Sequence, residues 1–237
     1  MNDTVLVSAI MPVYGQRELT ELALASFLSQ DWPNKQLIVI DDSPKSMGDL
    51  FWVSCIRTAT CVHYIRIDER MKIGPKRNLA CETASGDIII HFDSDDWSAP
   101  SRIRDQVERL LVSGKSVSGY HSMLFWDGNS KEAFKYKGCE DYSLGSGLCY
   151  RKSFWQKHSF VSEGPRSWED NVFVQAARND NEIVAVDAGK LMVARIHPGN
   201  TCPKKPRENP RQWAPVDASE IPPEFLAASG KAVSLAL

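Results

Sequence analysis

Apolar positions in the first hundred residues switch between two periods. Val5 to Met11 is a β-rich apolar run that Pro12 is expected to end. Leu19, Leu22, Ala23 and Phe27 then recur at helical spacing and fall on one face. Gln36 to Ile40 predicts a second strand, stopping at the acidic turn Asp41-Asp42-Ser43-Pro44. A helix is expected near Gly48 to Arg57 and a third strand over Val62 to Ile67. Gly74-Pro75 opens another helix, because a first-turn proline forfeits no helical hydrogen bond. Asp87 to Phe92 holds three consecutive isoleucines, the pattern of a strand buried on both faces. This βαβαβαβ order predicts an α/β fold with a doubly wound, mostly parallel sheet flanked by helices. Ligands of such sheets gather at the carboxyl ends of the strands. The acidic clusters at 41–42 and 93–96 both fall there.

The second half is less regular. Ser101 to Ser113 predicts an amphipathic helix with Ile103, Val107, Leu110 and Leu111 inward. Strands are expected at Ser116 to Phe125, Ala133 to Tyr136, Leu148 to Arg151, Ile183 to Val186 and Leu191 to Ile196. Gly145 to Gly147 marks a flexible loop, and a helix is expected after Ser167. From Pro203 the chain turns rich in proline and charge before ending in small apolar residues. The expected organisation is one domain over 1–202, with halves of about 1–100 and 101–202 and a smaller mixed region in the second. Residues 203–237 are expected to form an appended tail.

Composition adds limits. The 237 residues are 43% hydrophobic and 24% charged, enough for a packed core. A net charge of −2 from 28 basic and 30 acidic side chains gives no general positive field for nucleic acid. The cysteines at 55, 61, 81, 139, 149 and 202 form neither a C-x-x-C pair nor a zinc spacing, so reduced thiols are expected. Met1 to Ile10 lacks the basic start and apolar core of a signal peptide, and no apolar run reaches the ~20 residues of a membrane helix. A cytoplasmic protein with no integral membrane segment is the expectation.

The densest chemistry lies in Ile88-Ile-Ile-His-Phe-Asp93-Ser-Asp95-Asp96-Trp97, where a buried strand delivers alternating carboxylates to the sheet edge. Carboxylates are hard oxygen ligands suited to Mg²⁺ or Mn²⁺. A D-x-D triplet is short, and a solvated turn capping the next helix is the competing reading. Order and spacing add weight. Ser8-Ala-Ile-Met-Pro12-Val-Tyr14-Gly, Leu37-Ile-Val-Ile-Asp41-Asp42-Ser43, Gly74-Pro-Lys76-Arg77-Asn78 and Phe92-Asp93-Ser-Asp95-Asp96 together resemble the family 2 glycosyltransferases, well over roughly residues 5–110 and more thinly to about 201. The resemblance implies the GT-A fold, a divalent metal and inverting transfer of a single sugar. The donor would be a nucleotide-diphosphate sugar bound by the first half, and the acceptor a hydroxyl of a glycan, lipid-linked or other molecule bound by the second.

Carried over by motif, Pro12 and Tyr14 match positions lining the nucleobase pocket, and Asp41 or Asp42 the acidic position that reads the base. The family's D-D-G-S turn here reads Asp41-Asp42-Ser43-Pro44, without its glycine. Arg77 matches an arginine that reaches nucleotide or phosphate oxygens, with Lys76 a weaker candidate. Asp93 matches the carboxylate near ribose or metal, Asp95 the direct metal ligand, and Asp96 a turn-shaping residue. Ser167-Trp168-Glu169-Asp170 resembles the family's E-D catalytic motif, which implies Asp170 as the general base that deprotonates the acceptor hydroxyl. The same residues have capping-box spacing, and the readings are compatible because a helix N-terminus favours an ionised carboxylate. Glu169 is then an acceptor ligand or a solvated side chain, and Trp168 a sugar-stacking or a core aromatic. Arg195-Ile-His197-Pro-Gly-Asn200 resembles a late histidine segment that implies His197 near the metal or diphosphate. Gly145-Ser146-Gly147 resembles the start of the acceptor-side region.

No Q-x-x-R-W motif of processive relatives is present; Arg211-Gln212-Trp213 lacks the spacing. A sugar-nucleotide pyrophosphorylase would need a G-x-G-x-R loop, which Met11-Pro12-Val13-Tyr14-Gly15 does not supply. A silent nucleotide-sugar or glycan binder on the same scaffold would differ only in turnover.

Overall fold

The computed structural model describes residues 5–51, 61–162 and 168–235. The element order is β1 (Val7–Val13), α1 (Arg17–Leu28), β2 (Lys35–Asp41), β3 (Cys61–Arg66), α2 (Ile73–Thr83), β4 (Ile88–His91), β5 (Trp97–Ser98), α3 (Arg102–Ser113), β6 (Val117–Asp127), β7 (Glu132–Lys137), a 3₁₀ turn (Gly145–Gly147), β8 (Cys149–Arg151), α4 (Lys152–Lys157), α5 (Glu169–Asn179), β9 (Ile183–Asp187), β10 (Met192–Ile196), β11 (Trp213–Val216) and α6 (Pro223–Leu235).

The first half is the expected parallel sheet, in the order β3-β2-β1-β4. Both faces of β1, β2 and β4 are covered, which is why these central strands are mostly apolar, whereas the edge strand β3 leaves His63 exposed. Val7, Ala9, Met11 and Val13 of β1 meet Phe27 of α1 and Val107 of α3 on one side, and Ile10 meets Ala80 of α2 and Phe173 of α5 on the other. Pro12 does not end β1, which runs to Val13 with Pro12 opposite Ile40. Ile10 O accepts from Phe92 N, so the N–H that Pro12 lacks would point to the β4 side. There β4 has already finished at His91, so no ladder bond is lost.

Beyond β4 the sheet becomes mixed: β8, β6, β7 and β11 follow in antiparallel pairs, while β9 and β10 join β6 in parallel and β5 pairs β10 antiparallel. The mostly parallel expectation thus holds for the first half only.

Several expectations are corrected. The inward face of α1 is Thr20, Ala23, Leu24 and Phe27; Leu19 and Leu22 are only half-buried. Leu111 is 38% exposed, and α3 turns Arg102 and Gln106 inward beside Ile103, Val107 and Leu110. The helix expected from Gly48 is described only over 48–51. The segment expected to be a tail is built into the fold over its described residues: β11 adds a strand beside β7, and Phe225 of α6 is fully buried against Trp97 and Trp126. Cys81, Cys139, Cys149 and Cys202 are free thiols, and burial pushes both Cys81 and Cys149 up to about 12. Among the described residues no helix is long and apolar enough to cross a membrane.

Candidate functional site

A cleft of about 1210 Å³ opens at the carboxyl ends of β1 and β4. Those strands are neighbours, so Pro12 to Tyr14 and Asp93 to Asp96 emerge side by side. The β5–β10 pair then brings the end of β10 onto the acidic loop. Arg195 N–H donates to Asp96 Oδ1 at 3.1 Å, and Arg195 Nη1 donates to Asp95 O at 2.8 Å. His197 Nε2 lies 3.0 Å from Asp95 Oδ2. Gly199 N–H donates to His197 Nδ1 at 3.1 Å, and His197 Nε2 also lies 3.1 Å from Asn200 Nδ2.

Carboxylate oxygens of Asp93, Asp95 and Asp96 lie within 4.8 Å of one another. Burial raises the Asp93 carboxyl above its ordinary range, against the pull of Arg77, and Asp95 adds to the rise. Burial raises Asp96 further still, reinforced by Asp95 and Asp93. A divalent cation would remove this mutual repulsion, and three hard oxygen donors are the set Mg²⁺ or Mn²⁺ takes. The residues therefore fit such an ion. Asp96, expected only to shape the turn, belongs to the cluster.

Across the cleft, α5 begins at Glu169. Glu169 is buried and accepts from Arg77 Nη1 at 2.6 Å; burial raises its carboxyl despite Arg77. Arg77 Nη2 also sits 3.5 Å from Asp93, so one guanidinium bridges the acidic loop and the start of α5. Arg77 Nε is buried with no hydrogen-bond partner. The arginine expected to serve phosphate oxygens is thus already committed to two carboxylates. Gly74 allows this approach: a Cβ there would stand 2.2 Å from Val161 O and 3.2 Å from Glu169 Cβ.

Asp170 lines the cleft in the first turn of α5, accepting from Asn171 N–H at 2.8 Å. Ser167 lies outside the described residues, so the capping box is not observed. Trp168 is 55% exposed rather than a core aromatic, and does not line the cleft.

Asp41 and Asp42 do not line the cleft; they lie buried behind its wall. Asp41 accepts from Ser43 N–H, Met47 N–H and the Tyr64 hydroxyl at 2.8, 2.9 and 2.6 Å. Burial opposes its ionisation, but the bonds from Ser43, Tyr64 and Met47 outweigh it and hold the carboxyl below its ordinary range. Asp42 accepts from Arg70 Nη1 and Met71 N–H, each at 2.7 Å, and from Lys76 Nζ. Lys76 is therefore buried rather than a surface lysine, and burial lowers its ammonium pKa against the attraction of Asp42. Arg70, held by Asp42, stacks over Tyr14 with its guanidinium carbon 3.3 Å from the ring centroid. Pro12 and Tyr14 line the cleft. The acidic turn fixes the pocket wall through Arg70 and Met71.

The sequence reading missed Arg102. Wholly buried, it donates to His91 O and Ser146 O, at 2.8 and 2.7 Å, and to Ser98 Oγ and Gln106 Oε1. The signal was its spacing of four from Gln106, beside the apolar face of α3. It also missed Lys72 and Lys204, which add positive charge to the cleft lining.

The model of glycosyl transferase family 2 matches residues 8–164. The chain is 28% identical over 131 residues to the putative teichuronic acid biosynthesis glycosyltransferase TuaG of Bacillus subtilis, covering 54% of this chain and 52% of that protein. It is 30% identical over 125 residues to the putative colanic acid biosynthesis glycosyl transferase WcaA of Escherichia coli, covering 53% and 43%. The chain thus spans about half the length of the curated relatives it matches. Among solved structures, residues 1–349 of S. aureus TarS in complex with UDP-GlcNAc superpose with a TM-score of 0.64 at 21% identity, covering 86% of this chain and 63% of that one. The mannosyltransferase PcManGT of Pyrobaculum calidifontis, in complex with GDP-Man and Mn²⁺, gives 0.63 at 15%, covering 86% and 59%. At these identities the likeness is one of fold, an α/β structure of GT-A type with a mixed, curled sheet.

Proposed function

The chain belongs to glycosyl transferase family 2, and we propose that it transfers a single sugar, with inversion, from a nucleotide-diphosphate sugar to an acceptor hydroxyl with the help of a divalent cation. The observation that carries this reading is one cleft lined by Asp93, Asp95, Asp96, Lys72, Lys204 and Asp170. Asp93, Asp95 and Asp96 would hold Mg²⁺ or Mn²⁺, and His197 acts through its bond to Asp95. Bound there, the ion would neutralise oxygens of the departing nucleotide.

The remaining work belongs to side chains. Pro12 and Tyr14, the latter fixed by Arg70, form the wall on which a nucleobase rests, with Asp41 and Asp42 bracing it from behind. Lys72 and Lys204 draw the diphosphate. Asp170 takes the acceptor hydroxyl's proton as that oxygen attacks the anomeric carbon from the face opposite the nucleotide. Arg77 holds Glu169, and with it the start of α5, at a fixed distance from Asp93. TarS is described with UDP and with UDP-GlcNAc, and PcManGT with GDP-Man and Mn²⁺. These names support a nucleotide sugar and a divalent ion here.

The test is a thermal-shift screen of nucleotide sugars with and without Mn²⁺, followed by assay of nucleoside diphosphate release. A donor at 100 times its Kd stabilises by about 2.7 kcal/mol, a rise of roughly 5–10 °C for a chain this long. A rise that needs Mn²⁺, with turnover, supports the proposal. Stabilisation without release under any acceptor would identify a silent binder instead.

A further inference from the structure

The Gly145–Gly147 turn, expected to be a flexible loop, is held by more hydrogen bonds than a connection needs. Four consecutive carbonyls accept from groups outside the turn. Gly145 O takes His91 Nδ1 at 2.6 Å, Ser146 O takes Arg102 Nη2 at 2.7 Å, Gly147 O takes Gln106 Nε2 at 2.6 Å, and Leu148 O takes His91 N–H at 2.9 Å. His91, Arg102 and Gln106 are all essentially inaccessible to solvent. A carbonyl only accepts, so His91 Nδ1 carries the proton. Burial, with the charges of Arg77 and Arg102, holds the ring pKa well below its ordinary value; the imidazole is neutral, and Nε2 accepts from the Tyr150 hydroxyl at 3.2 Å. Arg102 Nη2 also bonds His91 O at 2.8 Å, two residues before Asp93.

Asp170 lies against this turn. A methyl on Gly145 would stand 2.2 Å from Asp170 Oδ2 and 3.0 Å from its Cγ. Gly145 is not among the residues with positive φ, so its backbone would accept an L side chain. Glycine is required at 145 by the carboxylate that rests on it, not by the chain path.

We propose that the 145–147 turn is a rigid seat for Asp170, with Gly145 and Arg102 as positioning residues that fix its carboxylate relative to the Asp93–Asp96 loop. One guanidinium grips both the strand end leading to Asp93 and the turn under Asp170, so the two sides of the cleft share one reference. The catalytic meaning of the seat rests on Asp170 as general base.

The test uses the full chain with Gly145→Ala. The variant melts lower than the parent, and adding Asp170→Ala restores part of the loss, because removing the carboxylate makes room for the methyl. The Asn171 amide proton, bonded to Asp170 Oδ1, shifts upfield in Gly145→Ala. Nucleoside diphosphate release from the sugar nucleotide found in the donor screen falls about 100-fold in kcat, as for a misplacement of about 1 Å, while donor KM stays within about twofold. Arg102→Lys keeps the charge but loses the fork that spans two carbonyls, and lowers kcat in the same direction. In an Asp170→Asn background Gly145→Ala adds less than about threefold, because groups acting as one unit are not additive. The seat is overturned if Asp170→Ala gives Gly145→Ala no recovery of stability and the Asn171 amide does not move. A parental kcat in Asp170→Asn alone instead overturns the base assignment, an outcome distinct from either of these.

Discussion

The two halves of the cleft are built by different means. On the donor side, Pro12 to Tyr14 and Asp93 to Asp96 sit at the ends of parallel neighbours, so short sequence motifs place them. On the other side, Asp170 depends on the buried Arg77–Glu169 ion pair, a pinned turn 25 residues upstream and an α-helix start whose partners are distant in sequence. The first arrangement follows from topology alone. The second exists only when long-range packing is complete, and substitutions should therefore act differently on the two sides.

The largest effect is expected from Asp170→Asn. It leaves donor affinity within about twofold and lowers transfer by about 10³-fold, in the range for loss of a general base. Calorimetry and nucleoside diphosphate release measure the two parts separately, and near-normal transfer by a folded variant would remove the asymmetry between the halves.

Stability shows the same contrast. Phe225→Ala empties a buried site between Trp97 and Trp126 and is expected to cost about 3–5 kcal/mol. The Phe225 ring also lies under Arg195, whose backbone and guanidinium hold Asp96 and Asp95, so metal-dependent donor binding should weaken as well. Chemical denaturation of the variant tests whether the last segment is part of the domain; a loss below about 1 kcal/mol would return it to the status of a tail.

Arg77→Met strands Glu169 in a buried position without its cation, which costs about 3 kcal/mol for a broken buried pair. Thermal unfolding should be steepest in its loss at pH values where Glu169 must be charged, and milder in acid where the stranded carboxyl is neutral.

A smaller, purely donor-side effect is expected from Asp41→Asn, at about 1–3 kcal/mol near pH 7. The folded carboxyl sits below its ordinary range, so the stability it contributes is fully present above the unfolded pKa of about 3.8 and is lost as pH falls through the folded value. The difference between parent and variant should therefore shrink only below about pH 4. A gap that closes between pH 5 and 7 would show that a different group carries it.

How far the sequence revealed this molecule follows the same division. The isoleucines of 88–90 announced a strand buried on two faces, the apolar run of Val5 to Met11 announced β1, and the acidic runs after β2 and β4 marked the ligand end. Period and position sufficed there, because a parallel sheet has few topologies. Pro12 misled because a proline costs a strand nothing where no neighbour remains to accept its N–H, and only the early end of β4 reveals that. Asp41, Asp42 and Arg77 were identified as polar and special, but the sequence could not show that they meet Tyr64, Lys76 and Glu169, partners 23, 34 and 92 positions away. Gly145-Ser146-Gly147 looked flexible because glycine usually signals freedom; here the donors to its three carbonyls are His91, Arg102 and Gln106, 41 to 54 positions away, and the carboxylate against it is 25 positions away. The segment after Pro203 was missed as a strand because Trp213 to Val216 includes a proline tolerated only at the sheet edge that β11 forms.

Asp93, Asp95 and Asp96 are proposed to hold a divalent ion that ties the donor to the cleft facing Asp170. Calorimetric titration of the donor into the chain with and without Mn²⁺, repeated on Asp95→Ala, tests it most directly. Binding at least about tenfold tighter with Mn²⁺, roughly 1.4 kcal/mol, is expected in the parent, and no Mn²⁺ dependence in the variant. Equal affinity in all four titrations would contradict it.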